Sequence, residues 1–231
     1  MTKLGIIGAM RIEVETLLEK MENVTMEKHA WSEYYEGTLE GLNVVVVQCG
    51  VGKVNAAMCA QILCSCYGVT HLVNTGIAGS LCADLDIGDL LISKDAMYHD
   101  FDCNAFGYPS GKVPGMDVIA FPADENLRTV AMAAAEQIHP GHIKTGTVAS
   151  GDQFICSKEQ KDQIIRDTGA VCAEMEGASI AHTAYRNGIP FVIIRAISDK
   201  ADDSAEMDYP SFEKAAALHS AKLVEAMMPR I

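Results

Sequence analysis

The chain has 231 residues, 49% of them hydrophobic, and a formal net charge of −13 at pH 7. That length suits one sizeable α/β domain spanning residues 1–231, while the acidic excess opposes docking on nucleic-acid phosphates. The longest apolar stretches, such as 42–47 and 191–194, are far too short to cross a bilayer, and Arg11 and Glu13 interrupt the N-terminal apolar run too early for a secretory signal, so a cytoplasmic protein is expected.

Strand and helix patterns alternate along the whole chain without a linker or a repeat. Residues 4–9 read as a first strand, and Val14, Leu17, Leu18 and Met21 then fall on one helical face. Residues 34–39 and 42–48 flank Glu40-Gly41 as a hairpin. An Ala- and Cys-rich helix follows Gly52, and a strand begins at His71. Leu127, Val130, Ala131, Ala134 and Ile138 repeat the helical spacing, 143–149 is β-rich, and 170–173 is a short apolar approach to Glu174-Met175-Glu176-Gly177. A helix then runs to Asn187-Gly188, an ordinary helix stop. Residues 191–194, behind Pro190, form a central parallel strand that leads to Arg195-Ala196-Ile197-Ser198-Asp199, and Ala217, Ala221, Val224 and Met228 mark a last helix. The acidic stretch 202–208 lacks apolar periodicity and reads as a solvated loop or a lid.

The eight cysteines show no zinc-type spacing and are expected to be reduced, with Cys59, Cys64 and Cys172 serving as small hydrophobes. A mean hydropathy of +0.11 is high for a soluble monomer and points to apolar surface buried between subunits.

Three glycine-rich turns are expected at strand ends, at 8–10, 50–52 and 76–79. None has the GxGxxG or Walker form in its proper setting, so they point to a shared crevice rather than to a dinucleotide or triphosphate. Asp199 ends a buried strand, where ligands bind in open α/β sheets. Glu13 opens the first helix beside that crevice, a position the helix dipole alone also favours. The pair Glu174 and Glu176 around Met175 suits either a helix cap or a carboxylate that accepts ribose hydroxyls. Phe154 is placed either to stack on a flat base or to fill the core.

In order, Gly5-Ile6-Ile7-Gly8-Ala9-Met10 with Glu13, Val73-Asn74-Thr75-Gly76 with Ala78-Gly79, His99-Asp100 with Ala105-Phe106-Gly107-Tyr108, Ser150-Gly151-Asp152 with Phe154-Ile155, Glu174-Met175-Glu176, and the segment 195–199 resemble the bacterial 5′-methylthioadenosine/S-adenosylhomocysteine nucleosidases, of the nucleoside phosphorylase superfamily. The resemblance covers essentially the whole chain. It implies an α/β, single-domain, three-layer fold with a twisted mixed sheet flanked by helices, acting on small adenine nucleosides as a homodimer with no cofactor and no metal. It further implies that Asp199, held by Ser198, acts as acid at N7 of adenine and that Glu13 activates the attacking water. Glu176 would bind the ribose hydroxyls with Met175 beside the sugar, Phe154 would stack on the base and the Ile155 backbone would read its edge. Ile77, Ala78, Gly79, Glu174 and Ala201 complete the expected substrate contacts, and Val51 and Phe212 the pocket's own-chain wall. Cys103, Phe106 and Pro114 would line it from the neighbouring subunit. Phosphorolysis on the same fold and binding without catalysis are the alternatives. The first calls for donors to a dianion where this chain has Asn74 and Ile77, and many of the nucleosidases it resembles carry Ser at the latter position. The second could dispense with Glu13 or Asp199, both present. The sequence does not rank 5′-methylthioadenosine, S-adenosylhomocysteine, 5′-deoxyadenosine and aminodeoxyfutalosine as substrates.

Overall fold

The computed structural model describes residues 2–231. In chain order the strands are β1 (Lys3–Gly8), β2 (Glu22–His29), β3 (Ser32–Leu39), β4 (Leu42–Gln48), β5 (His71–Ser80), β6 (Leu90–Tyr98), β7 (Phe121–Pro122), β8 (Ile143–Ser150), β9 (Cys172–Glu174) and β10 (Phe191–Asp199). The helices are α1 (Arg11–Lys20), α2 (Lys53–Ser65), α3 (Glu125–Ile138), α4 (Lys158–Thr168), α5 (Gly177–Asn187) and α6 (Ala205–Met227).

All ten strands belong to one mixed sheet, ordered β10-β6-β8-β9-β5-β1-β4-β3-β2, with β7 beside β6. Because β10 also pairs with β5, one half of the sheet curls back on itself, while β1, β4, β3 and β2 extend from it. The β-branched runs explain how it is layered. In β4, Val45 and Val47 face one core while Val44 and Val46 face the other, and β10 divides Ile193 and Ile197 from Val192, Ile194 and Ala196 in the same way. Helices α2 and α5 cover the first face, and α1, α3 and α6 the second. Each fully buried Val or Ile contributes roughly 1.5–3 kcal/mol relative to exposure.

The β3–β4 hairpin closes through Glu40 and Gly41, with φ of 49° and 79°, the left-handed pair that a two-residue turn requires. Two expectations change. Residues 76–79 are not a turn; β5 runs straight through them to Ser80. Their glycines permit close approach instead, since a Cβ on Gly76 would lie 2.5 Å from Glu13 Oε1 and one on Gly79 would lie 2.7 Å from Asp199 Oδ1. Residues 205–208, read as loop or lid, form the first turn of α6, which leaves only 202–204 of that stretch outside regular structure. All eight cysteines are free thiols, with Cys59 and Cys172 buried and Cys64 partly so. Among the described residues no helix is long and apolar enough to cross a membrane.

Candidate active site

Strand ends converge on one cavity of about 400 Å³. Its walls include Glu13, Val51, Ile77, Ala78 and Gly79 from the first half of the chain, and Phe154, Ile155, Glu174, Met175, Glu176, Ser198, Asp199 and Ala201 from the second.

Asp199 is aimed into the cavity by an irregularity in its strand. Ile197 pairs with Ala78 and Asp199 with Gly79, so Ser198 is the extra residue of a bulge. The Ser198 hydroxyl donates to Asp199 Oδ2 at 2.8 Å and the Ala201 N–H donates to Oδ1 at 2.8 Å. Ala201 adopts φ of 50° to turn its amide back. Burial raises the Asp199 pKa above the ordinary carboxylate value, opposed by these two donors and assisted by Asp208 and Asp202.

Glu13 is 3% exposed. Its Oε2 accepts N–H bonds from Ala9 at 2.7 Å and Met10 at 2.9 Å, and its Oε1 accepts one from Ile77 at 3.2 Å. The carboxylate thereby joins the β1–α1 turn to β5. Burial raises its pKa, and the Arg195 charge and the three backbone donors oppose the rise.

Behind the cavity wall lies a buried ionic cluster. Arg195 Nη2 donates to Asn74 Oδ1 at 2.5 Å and forms an ion pair with Glu174 Oε2, both partners 2% exposed at the side chain. Glu174 Oε2 also accepts from the amides of Glu176 at 3.2 Å and Gly177 at 2.7 Å, and its Oε1 accepts from Ser150 Oγ. Glu174 therefore caps α5 and neutralises Arg195. Glu176, one step nearer the chain entry to α5, accepts the Gly52 N–H at 2.7 Å through Oε1. Its pKa is raised by burial and by the Glu174 charge.

The family model described as the phosphorylase superfamily matches residues 3–229. A 5′-methylthioadenosine/S-adenosylhomocysteine nucleosidase of Chromohalobacter salexigens is 41% identical, over 100% of this chain and 98% of its own. The chain belongs to this nucleosidase family of the phosphorylase superfamily. The nucleosidase of Neisseria meningitidis, solved in complex with methylthio-immucillin-A, superposes with a TM-score of 0.97 at 38% identity, covering 100% of both chains. The futalosine hydrolase of Helicobacter pylori superposes at 0.95 with 34% identity, over 100% of this chain and 98% of its own.

In this nucleosidase-family cavity two groups of expected residues stand apart. Phe212 is 41% exposed and outside the lining; Tyr209, one turn earlier on α6, takes that wall and meets Phe154 edge-on at 5.5 Å between ring centres. Cys103, Phe106 and Pro114 also lie outside the lining, and Phe106 is 82% exposed. Sequence reasoning gave no role to Ala9, Met10, Gln153, Ala173 or Tyr209, which the lining includes, or to Arg195 behind it. Only Arg195 carried a signal: a guanidinium inside a strand buried at every position requires a carboxylate partner.

Proposed function

We propose that this protein hydrolyses the N-glycosidic bond of 5′-methylthioadenosine and S-adenosylhomocysteine, and of 5′-deoxyadenosine, releasing adenine. The observation that carries the reading is a single cavity holding two buried, differently anchored carboxylates, Glu13 and Asp199, with no Lys, Arg or His on its walls among the described residues.

The bond breaks with positive charge developing on the ribose and negative charge on the departing base. Asp199, its pKa raised by burial, supplies a proton or a strong hydrogen bond to N7, and Ser198 holds its carboxyl in place. Glu13, fixed by three backbone donors, aligns and deprotonates the water that attacks the anomeric carbon. Glu176 spends one oxygen on Gly52 and offers the other to the ribose hydroxyls, with Met175 packed beside the sugar. Phe154 stacks on the adenine while the Ile155 backbone reads its edge.

The absence of a cationic wall favours water over phosphate. Arg195, whose charge reaches Glu13, is 1% exposed and committed to Glu174 and Asn74. A phosphate dianion beside Ile77 would lose several kcal/mol of hydration without donors to replace it. Cys103, Phe106 and Pro114 are assigned to the 5′ pocket of a second subunit in a homodimer, a role that suits the 82% exposure of Phe106 and the 69% exposure of Val54.

The test is adenine release from 5′-methylthioadenosine in phosphate-free buffer and again with added phosphate. Phosphate-independent release with methylthioribose as co-product supports the reading; release only with phosphate overturns it in favour of a phosphorylase, and ligand binding without release overturns it in favour of a binding protein. The same assay with S-adenosylhomocysteine, 5′-deoxyadenosine and aminodeoxyfutalosine ranks the 5′ groups.

A further inference from the structure

Four histidine and aspartate side chains gather where the segment before β6, the end of α3 and the middle of α6 meet. Asp89, His139 and His142 each present a ligand atom, all within 4.8 Å of one another. His142 Nδ1 lies 2.9 Å from Asp89 Oδ1, and the His139 ring centre is 4.8 Å from that of His142 and 5.4 Å from that of His219. His219 Nδ1 is buried and has no hydrogen-bond partner, in the wall of a small cavity it shares with His139.

The chain builds this arrangement locally. His139-Pro140-Gly141-His142 is a tight turn in which Gly141 takes φ of 80° and the His142 N–H donates to the His139 carbonyl at 3.3 Å. Proline second and left-handed glycine third are the residues a type II turn demands, and the turn brings both imidazoles to one side of the α3 terminus. Asp89 is held from two directions: the Leu90 N–H donates to the His142 carbonyl at 2.9 Å, and the Ile197 N–H of β10 donates to the Asp89 carbonyl at 3.0 Å.

We propose that Asp89, His139 and His142, with His219 as fourth ligand, form a binding site for a divalent transition-metal ion of the zinc class. Neutral imidazoles with one carboxylate are borderline donors that suit such an ion better than calcium or magnesium. In a tetrahedral zinc site with bonds of about 2.0–2.1 Å, ligand atoms stand about 3.4 Å apart, so the Asp89, His139 and His142 atoms, now within 4.8 Å of one another, close by at most about 1.4 Å through side-chain rotation, and His219 turns in from outside that group of three. His142 is free to make that rotation, being 62% exposed at the side chain, and the proton it shares with Asp89 leaves when metal enters. Asp86, whose charge reaches His142, adds a second carboxylate nearby, while Lys222 borders the cavity on an exposed position where solvent screens its charge. The ion would tie α3, α6 and the segment entering β6 together, away from the cavity described above and independently of the reaction proposed for it.

The test uses the full chain, treated with chelator and titrated with Zn²⁺ by calorimetry and with Co²⁺ by visible absorption. One ion per chain is expected, with His139→Ala, His142→Ala and His219→Ala each weakening Zn²⁺ binding at least tenfold and melting temperature rising with Zn²⁺ only in the parent chain. His142→Ala, at an exposed position, keeps the test valid if the other two variants fold poorly. Equal Zn²⁺ affinity in the parent and in His142→Ala, or the same affinity in the His139→Ala/His142→Ala double variant, overturns the proposal and assigns the ion to thiols or the surface.

Discussion

The close contact between β5 and Asp199 makes Gly79→Ala a sharp perturbation of the proposed acid. The new methyl would lie 2.7 Å from Asp199 Oδ1 and 2.8 Å from Ala201 Cβ, where ordinary contact begins at 3.4 Å. The carboxylate must therefore retreat by about 0.7 Å, the difference between 3.4 and 2.7 Å. It cannot do so and keep its 2.8 Å bond from the Ala201 amide, because Ala201 is crowded by the same methyl. Misplacement of a reacting group by about 1 Å costs on the order of 10²-fold in rate, or about 2.7 kcal/mol of barrier. Steady-state kinetics of adenine release from 5′-methylthioadenosine, with circular dichroism to establish folding, should show that loss in kcat. A folded Gly79→Ala protein with kcat within about threefold of the parent would refute the claim that this contact sets the position of Asp199.

Asp199→Asn is expected to retain nucleoside binding in a thermal-shift assay while turnover falls by about 10²- to 10⁴-fold, the usual contribution of a positioned acid. The pH profile of turnover follows from two raised carboxyl pKa values: activity falls on the acid side as Glu13 is protonated and on the alkaline side as Asp199 ionises, and the alkaline limb is absent from the residual activity of Asp199→Asn. A folded-state pKa above 3.8 means the protonated Asp199 favours the fold, and that contribution is lost as pH rises through the folded value, so Asp199→Asn should melt higher than the parent at pH 8 and gain nothing near pH 4. Arg195→Met strands the buried Glu174 carboxylate and should cost about 3–5 kcal/mol in urea unfolding, with Glu174→Gln added to it recovering much of the loss. Phe106→Asp should shift the sedimenting species toward the 24.8 kDa protomer and raise the KM for 5′-methylthioadenosine; an unchanged mass would remove Phe106 from the proposed subunit interface.

The parts of the fold most legible in the sequence were those whose hydrophobic pattern is set by two-sided burial or one helical face, such as β4, β10 and α3. Strand β2 was invisible because nearly all of it is exposed and it shows no alternation; its pairing with β3 is a backbone matter. Strand β6 and helix α4 also went unread, the second because only Ile164 among its residues is buried. At the candidate site, strand ends and helix starts located Glu13, Glu174, Glu176 and Asp199, since acidic residues beside apolar runs stand out. Tyr209 was hidden by position: it falls between the stretch 202–208, which reads as a solvated loop or a lid, and the apolar periodicity that marks the later turns of α6. Residues 76–79 were misread because glycine signals both a turn and a close approach, and only the neighbours Glu13 and Asp199 decide which.

The three amides that hold Glu13 give this side chain a second identity as a brace between β1, α1 and β5. A glutamine there would present its NH₂ group to at least one of those N–H donors, leaving hydrogen facing hydrogen in a dry pocket. Asparagine at position 199 avoids the conflict, because its oxygen can accept from Ala201 while its amide donates to Ser198, whose hydroxyl turns toward the Ala78 carbonyl 3.4 Å away. An intact but slow protein for capturing unreacted nucleoside should accordingly be made at the acid end of the cavity, where chemistry and architecture separate, and not at the water end, where one carboxylate serves both.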